Sequence, residues 1–241
     1  MKRIVDLIVS FFGLLLMSPV LIIFVILIFF EDRNFPFYIA KRVGKGGVHF
    51  KMIKLRSMVV NADRSGVDST PINDPRITNI GKKVRKYKLD ELTQLWNVFL
   101  GDMSLVGPRP NVQRDTDLYT DSEKKLLMVK PGITDFSSII FSDEGDILKE
   151  HDDPDLAYNQ LIRPWKSRLG LIYIENQTIM IDLKLIFFTI LAIFSKKNAI
   201  KLVVSELIRV GVDPIVINVS KREKALYPYP PPGQEKVVVS R

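Results

Sequence analysis

The chain has 241 residues, of which 46% are hydrophobic and 26% are charged, with no cysteine and two histidines. This composition fits one domain with appendages and excludes a wholly disordered chain. The missing cysteines exclude a disulfide framework, a thiolate zinc site and a cysteine nucleophile, and two histidines argue against a histidine metal cluster. The formal net charge of +8 favours an anionic partner, such as nucleic acid, phospholipid or a diphosphate.

The N-terminal segment has the composition of a membrane-associated helix. Residues 4–30 hold 22 apolar side chains in 27 positions, which exceeds the roughly 20 residues needed to cross a bilayer. A secretory signal peptide is the alternative. However, the apolar run continues past any small-residue cleavage site, directly into Glu31 and Asp32.

A Ser18-Pro19 pair lies in the middle of this segment. Proline has no N–H group, so the carbonyl of Leu15 loses its helical donor, and the adjacent Ser18 hydroxyl can replace that donor. Basic residues lie on both sides of the segment, so the positive-inside rule gives no crossing direction. They are Lys2 and Arg3 before it, and Lys41, Arg42 and Lys45 after it. We predict a re-entrant helix over residues 1–33; a kinked transmembrane helix is the alternative.

Two short strands joined by a glycine-rich turn are predicted next. Phe37–Arg42 and Val48–Leu55 flank the sequence Gly44-Lys45-Gly46-Gly47. Lys54 falls on the same face as the apolar residues of the second strand. It is either an edge residue that extends its ammonium group into water or a phosphate-binding group at the mouth of a site.

The densest run of polar and turn-forming residues lies between positions 74 and 110. Apolar residues at helical spacing predict a helix with one buried face, and Asp90, Gln94 and Asn97 share another face. The apolar residues are Leu89, Leu92, Leu95, Trp96 and Phe99. On helix patterning alone, Asp90-Glu91 is a solvated carboxylate pair. The rigid turns that follow favour a site in which Lys54 and Arg85 converge on these carboxylates.

Five segments together resemble the bacterial sugar transferases, the monotopic polyprenyl-phosphate phosphoglycosyl transferases. They occur in the expected order within residues 1 to 195, which include the Ser18-Pro19 break. The segments are Lys54–Met58, Asp74–Thr78, Leu89–Val98, Gly101–Pro110 and Lys130–Thr134. Thr93 departs from the proline usual in the family. The resemblance covers the family core, without the N-terminal spans of larger members.

This resemblance and the residue patterns predict an α+β, mostly helical, monotopic membrane protein. We expect an N-terminal re-entrant helix at 1–33, a catalytic domain with a small β-hairpin and interfacial amphipathic helices at 34–200, and a C-terminal extension at 201–241. The proline-rich tail from about residue 226 is predicted to be disordered.

The resemblance also implies an activity: transfer of sugar-1-phosphate from a UDP-sugar to undecaprenyl phosphate with release of UMP, the first membrane step of glycan biosynthesis. It implies that Asp90 is the nucleophile and that Glu91 assists it, either at the metal or by positioning the phosphate, with both carboxylates as candidate ligands of Mg²⁺. Lys54, Arg85 and Arg109 match substrate-binding cations. The expected location is the bacterial inner (cytoplasmic) membrane with the site on its cytoplasmic face, in contact with membrane lipid; a homodimer is compatible with the sequence.

Two other functions follow from the residues. One is a membrane-attached, non-catalytic scaffold that binds sugar nucleotides in a glycan-assembly complex. The other is nucleic-acid binding. Because the basic residues are dispersed and the sequence contains no recognisable motif of a nucleic-acid-binding module, we expect no nucleic-acid partner. The family core does not determine which UDP-sugar is used.

Two later segments carry structural predictions. The apolar run from Leu183 to Phe194, flanked by lysines, is too short to span a bilayer, and it predicts a helix in the membrane interface or an ordinary core helix. Trp165, among basic residues, is either an interfacial anchor or a packed side chain. The acidic stretch 142–155 is interpreted as solvated surface.

Overall fold

The computed structural model describes residues 1–62, 70–71 and 73–239, which are mostly helical with two small sheets. The helices are α1 (Lys2–Asp32), α2 (Asn79–Lys86), α3 (Leu89–Leu92), α4 (Leu95–Leu100), α5 (Gln113–Asp117), α6 (Asp121–Lys124), α7 (Phe136–Ile140), α8 (Glu144–Leu148), α9 (Pro154–Ala157), α10 (Arg163–Glu175), α11 (Ile179–Phe194), α12 (Lys196–Arg209) and α13 (Pro214–Ser220). The strands are β1 (Phe37–Val43), β2 (His49–Leu55), β3 (Ser104–Val106) and β4 (Gly132–Thr134). A π-helix at Tyr158–Ile162 precedes α10.

The helix α1 is long and apolar enough to cross a membrane, and only 6% of its most apolar window is buried in the protein. The Ser18 hydroxyl donates a hydrogen bond of 2.8 Å to the carbonyl of Leu15. The predicted compensation for the missing N–H of Pro19 is therefore confirmed.

Both ends of α1 are attached to the rest of the protein. At the N-terminal end, Lys2 Nζ lies 2.7 Å from Asp182 Oδ2, and Asp6 accepts hydrogen bonds from Ser104 and from the backbone of Leu105. At the other end, Asp32 forms a salt bridge with the guanidinium of Arg56. Polar groups at the two ends therefore bind α1 to a single folded body.

The β-hairpin is confirmed, with bounds that differ by one residue from the prediction. β1 and β2 pair antiparallel in a register from Phe37↔Leu55 to Val43↔His49. In the turn, Gly46 and Gly47 adopt φ of 68° and 78°, a left-handed conformation that glycine adopts without strain.

The second sheet is a parallel pair, β3 and β4, that brings two predicted turns together. A Cβ atom on Gly132 would lie 2.1 Å from the backbone nitrogen of Gly107, so only glycine permits this approach. The segment Lys130–Thr134 therefore has a structural role, because it supports the turn that carries Arg109.

The main hydrophobic core lies around α7, α10 and α11. Its largest fully buried side chains include Phe136, Trp165, Tyr173 and Leu185. A smaller core joins the second half of α1 to the hairpin and to α2 and α3, through Ile28, Leu55, Val84 and Leu89. The candidate active site lies next to this smaller core.

The predicted single helix over residues 89–99 is wrong in two respects. The chain forms two short helices, α3 and α4, separated by Thr93 and Gln94. The burial pattern also differs, because Gln94 and Asn97 are each 1% exposed whereas Trp96 is 46% exposed. The polar face packs against β2, and the aromatic face is turned outward.

The prediction of a disordered tail also differs from the structure. Residues 221–239 form no helix or strand, yet Tyr229 stacks on Trp165 with ring centroids 4.4 Å apart. The carbonyl of Pro230 accepts a 2.8 Å hydrogen bond from Arg168. Aromatic stacking and backbone hydrogen bonds order this segment without regular structure, and Trp165 is a packed side chain.

The helix α11 has one side in the hydrophobic core and one apolar side that is exposed. Ile181, Leu185 and Phe188 are buried in the core. The outward side remains apolar, with Leu183, Phe187, Ile190 and Phe194 exposed. In the acidic stretch, Asp143 and Glu144 form salt bridges with Lys196 and Lys166, so these two residues are not simply solvated.

Candidate active site

The two adjacent carboxylates, Asp90 and Glu91, lie in the first turn of α3. Lys88, in a left-handed conformation with φ of 56°, precedes this turn. Leu89, 5% exposed, anchors the turn in the smaller core. The local sequence therefore places an apolar anchor directly before two acidic side chains, which leaves the carboxylates at the surface of that core.

The strand β2 supplies the first cation of the site. The ammonium group of Lys54 lies 3.9 Å from Asp90 Oδ2, with both side chains largely shielded (19% and 14% exposed). Burial, aided by the charge of Arg109, lowers the pKa of Lys54 to about 8, although the nearby carboxylates of Asp90 and Glu91 oppose this shift. Of the two interpretations of Lys54, its shielded location beside a carboxylate favours the phosphate-binding one.

Arg109 supplies the second cation, from the turn after β3. One nitrogen of its guanidinium lies 2.9 Å from Glu91 Oε1. Burial alone would raise the pKa of Glu91, but Arg109, Lys88 and Lys54 outweigh it and hold the pKa below its ordinary value. The charge of Glu91 in turn raises the pKa of Arg109.

Arg85, on α2, is the third cation of the site. Its Nε donates a 3.0 Å hydrogen bond to the hydroxyl of Ser57. Burial lowers its pKa, and the negative charges of Asp90 and Asp74 oppose that shift. Ser57 orients this guanidinium, and its role was not predicted.

The structure therefore brings together all five of the site residues predicted from the sequence. They are Lys54, Arg85, Asp90, Glu91 and Arg109. Lys54 and Arg109 form salt bridges with the two carboxylates, and the charge of Arg85 acts on Asp90, so the local charge favours an anionic ligand. Among the described residues, the Lys54 ammonium is the only cation within 4 Å of the Asp90 carboxylate, and at 3.9 Å it is too distant for a hydrogen bond.

Asn97 is a further site residue whose role the sequence analysis missed. Its amide donates 2.7 Å to the carbonyl of Lys51 and its carbonyl oxygen accepts 3.0 Å from the N–H of Ile53. These bonds attach α4 to the strand that carries Lys54. The helical spacing of Asp90, Gln94 and Asn97 places Asn97 on the Asp90 face of the helix, but it does not predict hydrogen bonds to β2.

Asp90 and Glu91 are candidate ligands for Mg²⁺. This ion retains several waters and is usually held by one or two carboxylates together with substrate phosphates. Asp90 and Glu91 supply that number of carboxylates. Within the described ranges there is no cluster of three or more histidine or acidic side chains suited to a metal, so a site here depends on substrate oxygens.

The chain matches the model of the bacterial sugar transferase family over residues 1–196, and it therefore belongs to that family. A Bacillus subtilis relative is 46% identical over 109 residues, which cover 45% of this chain and 61% of the relative.

Two other relatives carry names that describe their activity or pathway. The Klebsiella pneumoniae UDP-glucose:undecaprenyl-phosphate glucose-1-phosphate transferase is 33% identical, over 82% of this chain and 41% of its own length. The exopolysaccharide production protein ExoY of Rhizobium meliloti is 31% identical, over 80% of this chain and 84% of its own length. The chain spans less than two thirds of several curated relatives that it matches.

Proposed function

We propose that the chain transfers sugar-1-phosphate from a UDP-sugar to undecaprenyl phosphate and releases UMP. The observation that carries the proposal is the cation-rich cluster around Asp90 and Glu91, in a chain whose family relatives are named for this transfer. A diphosphate donor and a phosphate acceptor are both anionic, which matches three cations around two carboxylates.

The reaction has two displacement steps in this proposal. An oxygen of the Asp90 carboxylate attacks the β-phosphorus of the UDP-sugar and forms an aspartyl-phosphosugar. The bond from the β-phosphorus to its bridging oxygen breaks, and UMP leaves with the bonding electrons. A phosphate oxygen of undecaprenyl phosphate then attacks the same phosphorus, which regenerates the carboxylate and yields the undecaprenyl diphosphosugar.

The cations have separate parts in these steps. Lys54 lies on the Asp90 side of the cluster and reduces repulsion between the carboxylate and the incoming diphosphate. Arg109 uses one nitrogen for Glu91 and retains further N–H donors for phosphoryl oxygens. Arg85, held by Ser57, adds positive charge beside Asp90.

Mg²⁺ held by Asp90 and Glu91 would neutralise charge on the diphosphate. We expect excess chelator to stop UMP release and added Mg²⁺ to restore it. Full activity in excess chelator would remove the metal from the proposal.

A re-entrant arrangement of α1 is also proposed. Its 31 residues would extend about 46 Å as a straight helix, yet both ends form salt bridges to one folded body. If α1 crossed the bilayer, that body would have to lie in hydrocarbon along with Asp32 and Arg56. Insertion of α1 from one side avoids this cost.

The exposed apolar side chains support the same placement. The middle of α1, the Trp96 face of α4 and the outer side of α11 all present large apolar residues. Such surfaces are typical of a monotopic protein that rests in one leaflet. We place this surface in the inner membrane, with the site on the cytoplasmic face. Formation of a homodimer remains a prediction.

Topology is testable because the chain has no cysteine. A cysteine inserted after Met1 and a cysteine replacing Asn34 should each react with a membrane-impermeant maleimide only from the cytoplasmic side. Labelling of either from the periplasm would reject the re-entrant arrangement.

The chemical proposal is tested with UDP-sugars labelled with ³²P in the β-phosphate. Without acceptor, the purified protein should release UMP in a stoichiometric burst and retain label on the peptide that contains Asp90. A panel with glucose, galactose and N-acetylhexosamine donors identifies the sugar. Tight UDP-sugar binding without UMP release from any donor would favour the non-catalytic scaffold instead.

A further inference from the structure

The outer edge of β2 is covered by side chains from the α3–α4 segment. One edge of β2 pairs with β1, which leaves backbone groups on the other edge in need of partners. Asn97 bonds the carbonyl of Lys51 and the N–H of Ile53. The carbonyl of Ile53, directly before Lys54, accepts a 3.0 Å hydrogen bond from the hydroxyl of Thr93.

The same Thr93 hydroxyl also contacts the turn that carries the candidate nucleophile. Its Oγ1 lies 3.0 Å from the carbonyl oxygen of Asp90 as well as 3.0 Å from that of Ile53. A hydroxyl has one proton, which these two acceptors share. Thr93 is 6% exposed, so water does not readily replace either contact.

We propose that Thr93 is a positioning residue whose hydroxyl bridges the Asp90 turn and the Lys54 strand and so maintains the spacing of these two side chains. The bridge is short on both sides: Asp90 is three residues before Thr93, and Ile53 adjoins Lys54. The effect of this bridge on turnover rests on the proposed function.

A purely local role is the competing explanation. Threonine hydroxyls often bond the carbonyl three residues earlier in a helix, which affects only that helix. Thr116 provides this case within the same chain: it is 8% exposed, and its hydroxyl donates 2.9 Å to the carbonyl of Gln113. It is the matched control because, in the described structure, it bridges no second segment of the site.

The experiment compares Thr93→Val, Thr93→Ser and Thr116→Val in UMP-release kinetics. We expect Thr93→Val to lower kcat about tenfold, with KM for the UDP-sugar within about twofold, because the reacting groups lose alignment while substrate contacts remain. Thr93→Ser, which keeps the hydroxyl, should stay within about threefold of the parent kcat. Thr116→Val should leave both constants unchanged.

Hydrogen–deuterium exchange gives a readout that does not depend on turnover. Peptides that cover β2 should exchange faster in Thr93→Val than in the parent, Thr93→Ser or Thr116→Val, while peptides from α10 remain unchanged. If Thr93→Val does not fold, Thr93→Ala takes its place under the same criteria.

The outcomes separate the two proposals. No UMP release from the parent protein rejects the proposed function, and faster β2 exchange in Thr93→Val then still supports the bridge. Turnover by the parent together with an unchanged kcat in Thr93→Val overturns the positioning role. Unchanged β2 exchange in that variant overturns the bridge itself.

Discussion

Two groups of carboxylates and cations in this protein have opposite characters. Beneath α10, Glu123 is completely buried and accepts hydrogen bonds from Arg163 at 2.6 and 3.0 Å and from Ser167 at 2.7 Å. At the candidate site, Lys54 and Asp90 are 3.9 Å apart and partly exposed.

This difference distinguishes an ion pair that stabilises the fold from one that remains available to a ligand. Burying a charge is costly unless it is paired and hydrogen-bonded, so a fully satisfied pair such as Glu123–Arg163 fixes the packing of its helices. A loose pair with surplus cations keeps hydrogen-bonding capacity for a ligand. We therefore expect substitutions in the first group to affect stability and substitutions in the second to affect turnover.

Asp90→Asn provides the largest expected effect. Loss of the proposed nucleophile should lower UMP release at least about a thousandfold, because an amide cannot form the aspartyl-phosphosugar. The thermal unfolding midpoint should remain near that of the parent protein. Asp121→Asn, on the exposed side of α6, is the control and should retain full activity. Equal turnover by Asp90→Asn would eliminate the assignment.

Arg163→Met should show the reverse pattern. It leaves Glu123 buried without its cation and should reduce the free energy of unfolding by about 3–5 kcal/mol. Activity per folded molecule should change little, since neither residue belongs to the candidate site. Chemical unfolding of the detergent-solubilised protein measures the loss.

A double variant sharpens this test. Adding Glu123→Gln to Arg163→Met removes the buried charge while Gln still supports the capping box at Thr120, so much of the stability should return. A double variant as unstable as Arg163→Met would contradict the account based on an unpaired charge.

Arg109→Lys should have a smaller effect, limited to binding of the UDP-sugar. Lysine keeps the charge beside Glu91 but lacks the planar set of donors suited to phosphoryl oxygens. We expect KM for the UDP-sugar to rise about tenfold in steady-state UMP-release assays. Arg209→Lys, on the exposed side of α12, is the control. An unchanged KM would argue against a phosphate contact.

Lys124→Ala should have the smallest effect. Its ammonium lies 2.8 Å from Asp121, but the two side chains are 62% and 98% exposed, so water and salt screen the pair. Neither the unfolding midpoint nor UMP release should change. A measurable loss of stability would show that an ion pair in this protein can stabilise the fold through its short distance alone, without burial.

Features that depend on local chemistry could be predicted from the order of the amino acids. The missing N–H of Pro19 requires a substitute donor, which is the neighbouring Ser18 hydroxyl. The glycine turn and the flanking strands predict the observed hairpin. Both the left-handed turn conformation and the alternation of side chains along a strand depend on residues that are close in sequence. The motif residues also predict the cations and carboxylates that form the candidate site.

Which face of each segment is buried depends on long-range packing and could not be predicted in the same way. Asn97 and Thr93 point inward because the outer edge of β2 needs hydrogen-bond partners, and that edge is 40 or more residues away in the chain. The tail is ordered because Trp165 and Arg168 offer it a stacking surface. These partners are distant in sequence, so no local pattern specifies them. Burial of a side chain depends on which distant segments pack against it in the folded protein.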